Sequence, residues 1–125
     1  MRHLTVLYDA TCALCRNARV WLEREPTYVP LHFIAAGSPL AAQRFPALRI
    51  ESTLRDITVV DESGHVYRGP KAWVICLWAT RRYRAWALTL VRPEMWPLAK
   101  RLIAWVSRHR SRLGTIGGWV LGRMP

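Results

Sequence analysis

Two cysteines three residues apart, in Cys12-Ala13-Leu14-Cys15, follow a run of β-formers and open a stretch of helical periodicity. A thiol at the start of a helix faces backbone N–H groups that have no intrahelical partner, and it sits at the positive end of the helix dipole. Both favour the thiolate. The thiolate is the species that attacks a disulfide, and a second thiol one turn on can then displace the first from the mixed disulfide. Cys12, nearer the helix end, is the expected nucleophile, and Cys15 is the expected resolving thiol. Arg16 and Arg19 each stand four residues beyond one of the cysteines and are expected to add positive field. The chemistry predicted is dithiol–disulfide exchange, which calls for no cofactor.

Other uses of a CxxC pair fit less well. A zinc site needs two further ligands, but Cys76 stands alone in an apolar stretch, and His3, His32, His65 and His109 form no close pair in the chain. Haem attachment requires His directly after the second cysteine, and that position is Arg16. A structural disulfide suits secreted chains, and no secretion signal is expected. Leu4 to Tyr8 is a five-residue stretch, interrupted by Thr5 and stopped by Asp9, against roughly 7–15 residues for a signal core. Cys76 reads as a small core residue. Asp9 has two open readings: a base that takes the proton of the Cys15 thiol, or a turn residue that binds backbone N–H groups.

These residues need elements to position them. Leu4 to Tyr8 predicts a buried first strand. Leu14, Ala18, Trp21 and Leu22 form one apolar stripe of a helix that Thr11 is placed to cap and Pro26 to end near Glu25. Leu31 to Ala35 predicts a second strand, and a short helix is expected around Leu40 to Phe45, with irregular chain over 46–56. Ile57 to Val60 and His65 to Tyr67 flank a Gly-containing turn and predict a hairpin. Gly69-Pro70 starts a buried helix from Lys71 to about Arg82, with proline at its first position. One or two helical turns are expected over 84–91. A longer helix then runs to about Leu113, with Leu98, Leu102, Trp105, Val106 and His109 on one face and Arg101, Arg108 and Arg112 on another. Trp73, Trp78 and Trp105 are expected to be buried. The order β, α, β, α, β, β, α, α predicts an α/β chain with a mixed sheet of about four strands, flanked by helices and followed by extra C-terminal ones. One domain over 1–113 and a flexible tail over 114–125 are expected.

The 125 residues carry a formal charge of +11, unevenly placed. Residues 1–62 hold seven Arg and seven Asp or Glu, whereas residues 63–125 hold twelve Arg or Lys, one acid (Glu94) and six of the seven tryptophans. That half suits an anionic membrane surface or an acidic protein partner. No nucleic-acid-binding motif accompanies the charge, so nucleic acid is not the expected partner. The longest apolar run, Ala72 to Ala79, has eight residues, far short of the roughly 20 of a spanning helix. A cytoplasmic protein is expected, one able to sit at the membrane periphery.

Tyr8-Asp9-x-x-Cys12-x-x-Cys15 at the end of a first strand resembles the signature of the DCC family of predicted thiol–disulfide oxidoreductases, named for its Asp, Cys and Cys. Tyr67-Arg68-Gly69 before a helix with Ala72 is similar to the family's second landmark, and Arg108 to Gly114 resembles its basic C-terminal stretch. The resemblance spans about residues 3–114. It implies a thioredoxin-like fold and exchange with a protein or small-molecule disulfide or dithiol. Ala10 stands where the family usually has Gly. Thr53-Leu54-Arg55-Asp56 lacks the proline that thioredoxin-like enzymes place before the third strand. The alternative to an enzyme is a non-catalytic thioredoxin-like module that docks through its basic half.

Overall fold

The structure is a computed structural model and describes residues 2–49, 53, 54 and 56–109. The expected flexible tail, and the end of the last helix up to residue 113, lie outside the described residues. Strand β1 (Leu4–Tyr8) is followed by helix α1 (Ala13–Arg24), strand β2 (Leu31–Ala35) and helix α2 (Pro39–Arg44). Strands β3 (Thr58–Asp61) and β4 (Val66–Arg68) come next, then helices α3 (Pro70–Ala79), α4 (Arg84–Leu90) and α5 (Trp96–Arg108).

The sheet order is β2-β1-β3-β4. β1 pairs in parallel with β2, from Leu4 opposite Leu31 to Tyr8 opposite Ala35, and antiparallel with β3, where Val6 faces Val59. β1 and β3 are the inner strands. Both are buried almost throughout because helices cover the two faces of the sheet, whereas the edge strand β4 is largely exposed. Side chains alternate between faces. Leu4, Val6 and Val59 meet Leu22 of α1 and Ala72, Cys76 and Ala79 of α3 on one side. Leu7 and Ile34 meet Ala41 of α2 on the other. A parallel β-α-β unit followed by a helix, a hairpin and a helix in this strand order is a thioredoxin-like fold, as the sequence resemblance implies.

Two junctions explain where elements start and stop. Gly69 has φ +62, a left-handed conformation that L side chains rarely adopt. Its N–H bonds Ile57 O at 3.0 Å, joining the end of the hairpin to the start of α3. α3 stops at Ala79, three residues before the expected end near Arg82. There the chain turns away to pair with the segment after α1: Thr80 bridges Thr27, Ala79 O accepts from the Tyr28 N–H at 2.8 Å, and the Arg81 N–H bonds Pro26 O at 2.9 Å. Helical periodicity carries no trace of that tertiary pairing.

α5 forms where expected but is rotated. Ala99 is buried, with Ile103 and Val106 partly so, while Leu98 and Leu102 point outward. Trp105, expected in the core, is 47% exposed and stacks on His109 with ring centroids 4.5 Å apart. Trp73 and Trp78 are partly buried. The sequence stripe was wide enough to offer two apolar faces, and the core takes the one centred on Ala99. Among the described residues no helix is long and apolar enough to cross a membrane.

Candidate active site

β1 delivers the chain to the turn that holds the cysteines, and α1 carries it away. α1 begins at Ala13, so Cys12 and not Thr11 is the N-cap. Cys12 has extended backbone, φ −93 and ψ 122, and its Sγ accepts the Cys15 N–H at 3.4 Å. Thr11 is engaged one step earlier. Its N–H and its hydroxyl both donate to Asp9 Oδ1, at 3.0 and 2.6 Å. Sulfur thus takes the place that an oxygen normally fills at a helix N-terminus. Negative charge that develops there meets a backbone N–H and the positive end of the α1 dipole.

The turn is fixed from several sides. The Cys12 N–H donates to the Asp9 carbonyl at 3.2 Å, and Arg16 Nη1 donates to the Ala10 carbonyl at 2.8 Å. The Arg16 guanidinium therefore lies against the same loop as Cys12. Arg19 does not serve Cys15 in the expected way. It pairs with Glu23 at 2.7 Å and lies 5.4 Å from the centroid of the Tyr8 ring, so much of its charge is neutralised locally. Asp9 is buried, and the bonds from Thr11 give its carboxylate a turn-holding part.

Cys12 and Cys15 are both buried, 9% and 7% exposed. Cys15 lines an apolar groove of about 340 Å³ with Leu14, Trp21, Ile57, Trp73 and Ile103 among its walls. Ile57 stands just before β3, in the region where the resemblance led one to look for proline, and no peptide bond among the described residues is cis. Sequence reasoning assigned none of these groove residues a place in the site. They come from α1, α3, α5 and the approach to β3, and no local pattern connects them.

Cys76 is fully buried in the α3 core, and burial alone pushes its thiol up to about 12. It takes no part in this turn, as expected of a core residue. The histidines are less scattered than the chain suggests. The parallel register of β1 and β2 brings the His3 and His32 rings edge to face at 5.5 Å. Among the described residues, however, no three His, Cys, Asp or Glu side chains converge as a metal-binding set.

A family model described as DCC1-like thiol-disulfide oxidoreductase matches residues 6–115. The match takes in the Asp9–Cys15 turn, the hairpin and helices α1 to α5. No curated protein and no solved structure matches the chain. With most of the sequence inside that one match, the chain belongs to the DCC1-like thiol-disulfide oxidoreductase family.

Proposed function

We propose that the protein is a dithiol–disulfide oxidoreductase in which Cys12 attacks and Cys15 resolves. The observation that carries this reading is the sulfur of Cys12 at the N-cap of α1, accepting the Cys15 N–H. The Cys12 thiolate attacks one sulfur of a substrate disulfide. A mixed disulfide forms, the substrate S–S bond breaks, and the departing thiolate takes up a proton. Cys15, one turn inside, then loses its proton and attacks Cys12 Sγ. The internal disulfide forms and the second substrate thiol leaves. Two electrons and two protons pass to the substrate, and a separate dithiol reductant resets the pair. A reducing compartment such as the cytoplasm suits this cycle.

Asp9 is proposed as the acceptor of the Cys15 proton as well as the holder of the turn. Asp9→Asn keeps an oxygen for Thr11 and removes the base. The first step should survive, while resolution of the mixed disulfide should slow by on the order of a hundredfold. If resolution is unchanged, Asp9 only holds the turn.

The assay is reduction of a protein or small-molecule disulfide by the purified chain with a regenerating dithiol. Cys12→Ser should abolish turnover, and Cys15→Ser should accumulate a mixed disulfide visible by mass spectrometry. Full activity in Cys12→Ser would refute the assignment. The low exposure of both thiols favours a second reading, a binding module whose cysteines do not turn over. It predicts no reduction by the unmodified chain and no trapped adduct in Cys15→Ser.

A further inference from the structure

α4 and α5 present an outer surface of a kind that a folded core does not need. Of the nine large hydrophobic residues exposed among the described residues, six belong to α4, α5 or the turn between them. Leu88 and Val91 line a separate groove with Trp78 and Trp96, which leaves Trp86, Leu98, Leu102 and Trp105 for this surface. Leu98, Leu102 and Trp105 recur at i, i+4 and i+7, a continuous stripe along α5. At about 100° per residue, Arg101 and Arg108 lie roughly 60–80° to one side of that stripe, and the inward Ala99, Ile103 and Val106 lie to the other. On α4, Trp86 stands one turn ahead of Leu90, which lines the same groove as Leu102.

The charges around this surface are of one sign. Arg92, Arg101 and Arg108 are all exposed, and none is ion-paired with another described residue. Glu94 is the sole acid between Arg81 and His109. A second copy of the chain would set cations against cations. Outward Leu and Trp beside Arg instead match the layered chemistry of an anionic lipid interface, where acyl boundary and acidic headgroups lie side by side.

We propose that the α4–α5 face docks on an anionic bilayer surface. Trp86, Leu98, Leu102 and Trp105 enter the headgroup–acyl boundary, and Arg92, Arg101 and Arg108 lie against acidic headgroups. Leu102 also lines the groove that reaches Cys15, so docking sets that groove beside the lipid boundary. The proposal does not depend on the redox chemistry.

The test is co-sedimentation of the full chain with phosphatidylcholine vesicles, with and without about 30% phosphatidylglycerol, over roughly 0.05 to 0.5 M salt. Binding should require the anionic lipid and weaken as salt rises. The pair Leu98→Ser and Trp105→Ser should lower partitioning by at least about tenfold. Arg101→Gln and Arg108→Gln should each lower it by about fivefold. These side chains are outward, so the circular dichroism spectra should be unchanged. Partitioning that ignores either the lipid charge or both sets of variants would overturn the proposal. So would self-association that Leu98→Ser and Trp105→Ser abolish, or binding to polyglutamate as tight as to the anionic vesicles.

Discussion

At Cys76 the thiol is enclosed by the apolar contacts of the main core, and ionising it would strand a charge with no compensating donor. Burial raises it from an ordinary 9.0 to about 12. Its contribution to stability is therefore fully present below the unfolded thiol's range and is lost as pH rises towards 12. Native protein at pH 8 should leave Cys76 unlabelled by iodoacetamide, and guanidinium should expose it. Cys76→Ala should retain disulfide reduction at a stability cost on the order of 1 kcal/mol, and its melting temperature should fall less between pH 9 and 11 than that of the unmodified chain. Rapid native labelling of Cys76 would contradict the account. The place of the two cysteines at the start of α1 was legible from residue type and spacing, down to which of them stands at the helix end. The cap was not, because choosing between Thr11 and Cys12 depends on where the Thr11 hydroxyl turns, and Asp9 claims it. Arg19 misled for a similar reason: Glu23, on the next turn, draws its charge away.

At the scale of elements, the β3–β4 hairpin shows a second gap between pattern and cause. Two β-rich runs around Ser63-Gly64 locate it, and Gly64, at φ +89, supplies the conformation that the turn needs. Its main polar anchor is the side chain of Asp61. Oδ1 accepts from the N–H groups of Ser63 and His65, both at 2.9 Å, and Oδ2 accepts from the Tyr67 hydroxyl at 3.4 Å. Burial alone would raise this carboxyl, but the donors at His65 and Ser63, with the His65 ring 3.3 Å away, outweigh it and lower the value. A lowered carboxyl contributes stability above its unfolded range and loses it as pH falls through the folded value. The melting temperature should therefore drop below about pH 4, and Asp61→Asn should be less stable at neutral pH while losing less on acidification. Parallel pH curves for the two proteins would remove Asp61 as the cause. Strand positions were readable because alternation and β-branching are local. Helix ends fixed by distant backbone, as where Thr80 meets Thr27, were not.

Across the whole molecule, the linear chain separates charge from chemistry, with the cysteines in the electrically balanced half and the excess of +11 in the other. The fold removes that separation. Ile103, Val106 and Ser107 of α5 wall the groove that Cys15 lines, so the helix bearing Lys100, Arg101 and Arg108 packs beside the thiols. The strand order could be anticipated from the succession of elements and their connection rules, but the face of α5 chosen for burial could not, since both candidate faces are apolar. The juxtaposition has a kinetic consequence. A positive field that reaches the thiols should concentrate anionic disulfides and repel cationic ones, over a range set by a Debye length of about 10 Å at 0.1 M salt. Oxidised glutathione is an anion and cystamine a cation at neutral pH. Between low and high salt, the second-order rate with oxidised glutathione should fall on the order of fivefold to tenfold, and the rate with cystamine should rise. Stopped-flow rates for both substrates across a salt series measure this directly. Equal salt slopes for the two would mean that the cations of α5 are screened from Cys12, and that the positive half of the chain acts only at its outer surface.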